Sequence, residues 1–451
     1  MASSRKPSKT ALVLASGGVS GVSYEVGALR ALDHVLTNRT VNDFDIYVGT
    51  SAGAVVSAAL ACGIPPIMLA GLLTGTVPGF SRLSPMSLYR PNVGEVVERL
   101  WGAPKLLRNA ASEYWRFRDR LPLSEMLYAL TPLLPTGIFT NGGLERYIGE
   151  TLTMAGLSDD FRDIRKELHI IAADIESNKR ADFSQLTTPN VPVSKAVAAS
   201  TCIPILFRPV EIDGHHYVDG GVKGHAAIDV AISRGAKLIV VINALVPLDT
   251  EAIGKRASVD ETRKTIYDLG LRAVVNQILR GMLHDSLIDH LQDVRAKNPD
   301  VDFILIEPRP DDEKMFFHEV MSFSAQLIVM QHGYETVTKG LYEVWPYLSR
   351  VLPKHGIELT RHVVDKKPLE VPVNDLERAN VLGRLFQTVL DRRISAKGER
   401  PDISARVQTA RPAATAKRKT RRPAGSSARR SGTGGVRKFR PRVISSDTAE
   451  G

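Results

Sequence analysis

The chain has 451 residues, 43% of them hydrophobic, which is enough to bury one large core or two modest ones. No run of eighteen or more apolar residues occurs in it, so the sequence predicts no membrane-spanning helix. Residues 1–10 are polar and basic, are predicted to be flexible, and lack the apolar core of a signal peptide.

The net charge of +10 belongs to one end of the chain. Residues 397–451 carry 15 Lys and Arg against 4 Asp and Glu, whereas the remainder carries 44 against 45. The folded part is therefore expected to be close to neutral. The two cysteines, Cys62 and Cys202, stand among small apolar residues and are predicted to be buried thiols, which favours a reducing, cytoplasmic setting.

The first elements alternate between strand and helix. Residues 11–15 (ALVLA) predict a buried strand, and the apolar spacing from Tyr24 to Leu36 predicts a helix. A second strand is predicted over Phe44–Val48 and a helix of small residues over Ala52–Ala61. This alternation is typical of a parallel sheet with helices on its faces.

The prolines of residues 63–141 interrupt the alternation and predict a helical insertion or cap. The alternation then resumes, with helices predicted at 144–152, 194–200, 226–234, about 262–296 and about 318–348, and strands at 168–175, 206–212, 216–218, 237–243 and 302–307. We therefore predict a main domain over 11–243, an α/β extension of the same domain over 244–350, and a helical or irregular segment over 351–396. The basic tail, 397–451, is expected to be disordered because it has hardly any large apolar residue to bury.

The sequence Gly49-Thr50-Ser51-Ala52-Gly53 matches the pattern GxSxG between a predicted strand and a predicted helix. A serine in such a tight turn is held at the edge of the sheet, and the flanking glycines let strand and helix approach closely. The start of the helix supplies N–H groups and a positive dipole end for an oxyanion. The alternative is a small-residue turn that only packs a helix on a sheet.

The segment Ser16–Gly21 (SGGVSG) forms a glycine-rich turn between the first strand and the first helix, and its N–H groups are candidates to face a phosphate or an oxyanion. A dinucleotide site is one alternative, but it needs an acidic residue after the second strand, where Ser51 stands instead. A plain structural turn is the other. A third motif, Val218-Asp219-Gly220-Gly221, places a carboxylate at the end of a short strand.

The order of these three motifs resembles the patatin-like phospholipase family over about Leu12–Gly235, and the segment 198–204 (AASTCIP) belongs to the same resemblance. The resemblance implies a three-layer α/β/α sandwich with a mostly parallel central sheet. It also implies a catalytic dyad of nucleophile Ser51 and base Asp219. The N–H groups of Gly17, Gly18 and Val19 would form the oxyanion hole, and Gly49, Gly53, Gly220 and Gly221 would shape the two motifs. No cofactor and no metal is expected.

The sequence departs from the family pattern at two places. Ser16 stands where a third glycine is usual, and a basic residue that is often found near Ser20 or Gly21 is absent. This leaves open which N–H groups form the oxyanion hole. After Gly221 the sequence continues Lys223-Gly224-His225 instead of an Asn-Pro-like segment, a difference on which the dyad does not depend.

The implied activity is hydrolysis of lipid esters, of the phospholipase A or lysophospholipase type, and two alternatives stay open. The first is an inactive lipid-binding scaffold with the same fold. The second is a soluble carboxylesterase with a Ser-His-Asp triad, for which the candidate histidines are His215, His216, His225, His284, His290, His318 and His332.

The basic tail indicates a polyanionic partner. Its clusters, which include residues 417–422 (KRKTRR), favour attachment to an anionic membrane surface, so that a cytoplasmic protein would be peripheral at the membrane. Non-specific binding of nucleic acid is a further use of such a tail. The oligomeric state and the lipid headgroup are not determined by the sequence.

Overall fold

Short runs of β-branched and other apolar residues form the strands of a central sheet. The computed structural model describes residues 8–117, 131–254, 265–317 and 323–361. The strands are β1 (Thr10–Leu14), β2 (Ile46–Thr50), β3 (Arg90–Pro91), β4 (Gly137–Thr140), β5 (Glu167–Asp174), β6 (Lys179–Ser184), β7 (Ile205–Phe207), β8 (Val210–Ile212), β9 (His215–Asp219), β10 (Leu238–Ile242) and β11 (Asp302–Ile306).

The helices lie between these strands. They are α1 (Gly18–Val35), α2 (Ala52–Ala61), α3 (Pro66–Thr74), α4 (Pro85–Leu88), α5 (Val93–Phe117), α6 (Gly142–Met154), α7 (Val193–Ser200), α8 (Ile228–Ser233), α9 (Thr250–Gly254), α10 (Leu271–Lys297), α11 (Glu313–Phe317), α12 (Gln326–Glu343) and α13 (Trp345–Val351). No helix among the described residues is long and apolar enough to cross a membrane.

The main sheet has the order β11-β10-β1-β2-β5-β9-β8, with β6 on the other edge of β5. Strands β11, β10, β1, β2 and β5 are parallel, whereas β6, β8 and β9 are antiparallel to their neighbours. A second sheet joins β3, β4 and β7.

Helices cover both faces of the main sheet. Alternate residues of β1, among them Ala11 and Val13, pack with α8 and α10 on one face. On the other face, α2 lies so close to β1 that a methyl group at Gly53 would be 2.2 Å from the carbonyl oxygen of Leu14. The predicted three-layer α/β/α sandwich with a mostly parallel sheet is therefore confirmed. The predicted disordered tail lies outside the described residues.

Several element bounds differ from those that the sequence predicts. Helix α1 begins at Gly18 instead of Tyr24, because its first turn consists of small residues that carry no apolar periodicity. The strand predicted over 206–212 is two strands, β7 and β8, which belong to different sheets on either side of Pro209. Proline cannot donate to a strand ladder, which accounts for the break. The insertion 63–141 holds helices as predicted, but it also contributes β3 and β4 to the small sheet.

Candidate functional site

The register of the sheet brings the two predicted reactive residues together. Strand β2 runs alongside the first part of β5 and ends with Thr50 opposite Ile171. Strand β9 pairs with the last part of β5 in the opposite direction and ends with Asp219 opposite Ala172. Because β6 occupies the other edge of β5, β2 and β9 share one edge and meet end to end. Ser51 and Asp219 therefore face each other across this junction.

Ser51 forms the tight turn between β2 and α2. Its backbone has φ 55° and ψ −115°, a conformation that side-chain-bearing residues rarely adopt, and its side chain is buried. Such strain is typical of a serine held at a strand-to-helix turn. The turn also needs its two glycines, because a methyl group at Gly49 would be 2.4 Å from the carbonyl oxygen of Gly53. The sequence predicted this turn correctly.

The side chain of Ser51 lies beside the carboxylate of Asp219, which is buried. Burial raises the pKa of this carboxyl from 3.8 to about 6, against the lowering effect of the neighbouring Ser51 hydroxyl and of the N–H of Gly221. The N–H of Gly221 lies 2.8 Å from Asp219 Oδ1. A carboxylate with this pKa is ionised at neutral pH and is a stronger base than an exposed aspartate.

The two glycines after Asp219 keep the carboxylate at the junction. A methyl group at Gly220 would be 2.3 Å from the carbonyl oxygen of Ile171, and one at Gly221 would be 2.8 Å from Ser16 Oγ. The first distance means that only glycine lets the chain leave β9 so close to β5. The distance from Gly221 to Ser16 Oγ places the Asp-Gly-Gly turn against the glycine-rich segment at the start of α1.

Ser200, which sequence reasoning did not assign to the site, connects its parts. Its hydroxyl accepts a bond of 2.9 Å from the N–H of Ser51 and donates one of 2.5 Å to the carbonyl oxygen of Ile171. Two residues further on, the carbonyl oxygen of Cys202 accepts a bond from the N–H of Asp219 at 2.8 Å. The end of α7 and the residues that follow it thus hold the backbone of both Ser51 and Asp219. The segment 198–204 (AASTCIP) carries part of the family resemblance, and it was the one feature of the sequence that could have indicated Ser200.

The start of α1 lies beside Ser51. Gly18 and Val19, the first two residues of the helix, line a pocket together with Ser51, whereas Gly17 does not. Gly17 instead packs so closely that a methyl group on it would be 2.6 Å from the Cα of Gly21. The first N–H groups of a helix have no partner within the helix, so those of Gly18 and Val19 are available to an anion. The structure thus brings two of the three predicted oxyanion-hole residues to the pocket.

The pocket beside Ser51 is apolar. Its walls include side chains of α1, α2, α3 and α6, among them Val22, Val55, Leu69, Leu73, Leu144 and Ile148. Besides Ser51 and Tyr147, four residues with polar side chains also line it: Asn141, Thr151, Thr201 and Gln326. A pocket of this composition favours a flexible hydrocarbon chain over a polar substrate.

The candidate histidines are bonded to other groups. His225 is fully buried, its Nε2 lies 2.7 Å from Asn243 Oδ1, and burial lowers its pKa to about 4. His215 pairs with Asp174, and His216 pairs with Glu176. The other candidate histidines that the structure describes also lie near carboxylates: His284 with Glu307, His290 with Asp229, and His332 with Asp312. His318 lies outside the described residues.

One group of potential metal ligands exists among the described residues. Asp174, Glu176 and His215 have ligand atoms within 4.8 Å of one another. Asp174 already accepts bonds from Ser177 and from two backbone N–H groups. The group lies at the opposite end of β9 from Asp219 and takes no part in the arrangement around Ser51.

Comparison with known proteins agrees with this geometry. The family model described as patatin-like phospholipase matches residues 12–232. A protein of Invertebrate iridescent virus 6 named as a probable lipid hydrolase is 23% identical over 227 residues, which are 49% of this chain and 62% of the viral protein. An uncharacterized protein of Acanthamoeba polyphaga mimivirus is 38% identical over 61 residues, 14% of this chain and 20% of that protein. The chain thus spans less than two thirds of either viral protein.

Two solved bacterial structures are also similar. VipD from Legionella pneumophila is 15% identical, with 74% of this chain and 66% of that chain covered and a TM-score of 0.32. ExoU from Pseudomonas aeruginosa, in complex with SpcU, is 15% identical, with 83% and 67% covered and a TM-score of 0.26. Both TM-scores are below 0.5, so the fold assignment rests on the sheet and on the family match. Residues 12–232, just under half of the chain, form a patatin-like phospholipase domain.

Proposed function

We propose that the protein is a lipid acyl hydrolase of the phospholipase A or lysophospholipase type, with Ser51 as nucleophile and Asp219 as base. The observation that carries the proposal is the position of Ser51, in its strained turn, next to the buried Asp219 carboxylate and beside an apolar pocket. The family match and the name of the iridovirus relative support a lipid ester as the substrate. The apolar pocket accommodates the acyl chain.

The reaction then proceeds in two steps. Ser51 attacks the ester carbonyl while its proton passes to Asp219, and the oxyanion is stabilised by N–H groups at the start of α1, with Gly18 and Val19 the best placed. The alcohol leaves with the proton from Asp219, and the acyl group stays on Ser51 as an ester. A water molecule gives a proton to Asp219 and attacks this ester. The fatty acid leaves, and Ser51 regains the proton.

A serine-directed fluorophosphonate probe tests the nucleophile. We expect the full-length protein to be labelled and Ser51→Ala to be unlabelled. The matched control is Ser57→Ala, which removes a buried hydroxyl from the same helix outside the pocket lining and should leave labelling intact. Absence of labelling of the folded wild-type protein, with lipid present and across the pH range in which it stays folded, would favour the inactive scaffold.

Two further measurements test the reaction and the base. Mass spectrometry of a mixed lipid extract should show fatty-acid release by the wild-type protein and none by Ser51→Ala. Replacement of His225 by Ala should leave acyl-enzyme formation intact, because its imidazole is bonded to Asn243. Loss of acyl-enzyme formation in folded His225→Ala would instead support a Ser-His-Asp triad.

We also propose that the protein is cytoplasmic and peripheral at the membrane, with the basic tail binding anionic lipid. The tail, residues 397–451, carries a net positive charge and lies outside the described residues. Flotation with vesicles tests the proposal: anionic vesicles should bind the full chain, neutral vesicles should not, and salt should weaken the binding. Equal binding to both kinds of vesicle would contradict it, and retention on DNA in place of vesicles would support the nucleic-acid alternative.

A further inference from the structure

Helix α5 turns apolar side chains outward and an acidic side chain inward. Residues four, seven and eight positions apart share one face of a helix, and here they are Val93, Val97, Leu100 and Trp101. All four are exposed, and Trp101 is 84% exposed. Glu95 is buried instead. A surface helix normally has the opposite arrangement, so this face of α5 has the composition of a contact surface.

Hydrogen bonds fix this orientation of α5. Glu95 accepts from the N–H and from the hydroxyl of Thr136, both at 2.9 Å, and from Arg99 Nε at 2.8 Å. Just before the helix, Asn92 Nδ2 donates to the carbonyl oxygen of Gly137 at 3.0 Å. The polar face of the helix is therefore bound to the segment that leads into β4, and the apolar face points away from it.

The small sheet adds two exposed isoleucines beside the start of α5. The N–H of Asn92 donates to the carbonyl oxygen of Ile138 at 3.0 Å, and the preceding residue, Gly137, pairs with Ile205 of β7. Both isoleucines are exposed, Ile205 to 82%. Ile205 has φ 73°, a backbone conformation that β-branched residues rarely adopt. Strain of this kind persists only where the surrounding structure imposes it, and it is concentrated at functional sites.

These six exposed side chains form the outer apolar surface: Val93, Val97, Leu100, Trp101, Ile138 and Ile205. None of them lines the pocket beside Ser51, but their neighbours in the chain do. Ile203 and Phe207, two residues to either side of Ile205, line the pocket, and so does Leu88 before α5. A bilayer in contact with the outer apolar surface would therefore lie close to the wall of the pocket.

The charges near the outer apolar surface are mainly positive. Residues 93–109 of α5 expose one carboxylate, that of Glu98. Lys105 and Arg108 follow Trp101 by one and two turns on the same face of the helix. Four exposed basic side chains have no ion pair among the described residues: Arg90, Lys105, Arg108 and Arg208. Apolar side chains with cations beside them match an anionic bilayer, whose headgroups attract Lys and Arg while its acyl layer receives apolar groups.

We infer that the outer apolar surface enters the interface of an anionic phospholipid bilayer, as a membrane contact separate from the basic tail. The inference rests on the proposed function only for the presence of lipid as substrate. An exposed apolar surface also favours self-association, so a second copy of this chain is the competing partner.

Trp101 itself reports on the contact. The chain has three tryptophans, so the double variant Trp115→Phe, Trp345→Phe of the full-length protein leaves Trp101 as the single emitter. We expect vesicles that contain phosphatidylserine to shift its emission to shorter wavelength, and vesicles with brominated acyl chains to quench it. Flotation of the same samples measures how much protein is bound. Binding through the tail alone would leave the emission of Trp101 unchanged.

The informative variant is Leu100→Glu, which places a charge on the face that enters lipid. Its rate on phosphatidylserine-containing vesicles, divided by its rate on a water-soluble short-chain ester, should fall at least about tenfold, because burial of one leucine in lipid contributes about 1.5–3 kcal/mol. Both rates are measured in salt that screens the attraction of the tail. The matched control is Leu186→Glu, at an exposed leucine in the turn after β6, and its ratio should equal that of the wild-type protein.

Three outcomes would overturn the inference. The first is unquenched Trp101 in vesicle-bound protein, and the second is an unchanged ratio in Leu100→Glu. The third is a dimer in lipid-free sedimentation that Leu100→Glu dissociates, which would assign the surface to a second copy. All three leave the proposed function standing if hydrolysis depends on Ser51. Quenching of Trp101 without Ser51-dependent hydrolysis of any substrate would instead remove the proposed function and keep the membrane contact.

Discussion

The proposed reactive side of the site, Ser51 and Asp219, differs from the pocket beside it in polarity. The backbone of Ser51 is bonded to Ser200, and Asp219 is bonded to the N–H of Gly221 and to the carbonyl oxygen of Cys202. The pocket is lined mostly by apolar side chains. The chain thus fixes the positions of Ser51 and Asp219 through its own hydrogen bonds, whereas the pocket offers mainly apolar contacts.

The largest expected effect is on the reactive side. Asp219→Asn removes the base while keeping the shape of the side chain, so kcat should fall by about a thousandfold, in the range that general-base catalysis contributes. Fatty-acid release under saturating substrate measures it. A fall of less than tenfold in a folded variant would show that Asp219 is not the base.

The next largest effect is expected at Gly53, where α2 packs closely against β1. In Gly53→Ala the added methyl group would be 2.2 Å from the carbonyl oxygen of Leu14, so the free energy of unfolding should fall by about 3 kcal/mol. Denaturant titration measures it. The control is Gly281→Ala in the middle of α10, where nothing lies within 4 Å of the new atom and about 0.5–1 kcal/mol should be gained. Equal effects at the two positions would contradict the close approach of α2 to β1.

Burial of Asp219 makes stability depend on pH. Its pKa is raised from 3.8 to about 6, so the folded state binds more protons than the unfolded state between pH ~4 and ~6. The stabilisation from the protonated carboxyl is therefore present at low pH and is lost as the pH rises through this window. Asp219→Asn should be about 2–3 kcal/mol more stable than the wild-type protein at pH ~8, and this advantage should vanish near pH ~4.

Unfolding by denaturant at a series of pH values measures the difference between Asp219→Asn and the wild-type protein. A constant difference across the series would mean that the pKa of Asp219 is not raised by folding.

The smallest expected effect concerns the connection through Ser200. Ser200→Ala leaves the N–H of Ser51 and the carbonyl oxygen of Ile171 unpaired, so the free energy of unfolding should fall by about 1–3 kcal/mol. Because the nucleophile loses a positioning bond, kcat should fall by about tenfold with little change in KM. Ser233→Ala, which removes the hydroxyl of an exposed serine at the end of α8, is the control and should change neither kinetic parameter. A change in KM alone would contradict the positioning role.

Much of the structure around Ser51 was predictable from the sequence, because the steric constraints on that turn are local. The turn around Ser51 needs glycines at fixed positions, and the pattern from Gly49 to Gly53 records that need. The alternation of strand and helix likewise predicted a parallel sheet. Asp219 as the proposed partner of Ser51 could be expected only through the resemblance, since Asp-Gly-Gly alone is an ordinary turn sequence.

The pocket beside Ser51 was not predictable from the sequence, because its residues come from distant parts of the chain. Nothing in the sequence around Asn141 or Gln326 indicates a pocket, and Gln326 lies beyond the region that the family model matches. The separation of β7 from β8 and the early start of α1 also depend on pairing and packing that a single sequence does not display.

The sequence by itself determined where the strained turn lies, because the close approach of strand and helix there leaves room only for glycine at positions 49 and 53. The tertiary structure alone decided what surrounds the turn. Strand β5 pairs with β2 and β9 on one edge and so brings Ser51 to Asp219. Helices α1, α2, α3 and α6 surround the same pocket, since contacts between distant segments depend on burial and helix packing and not on neighbouring residues.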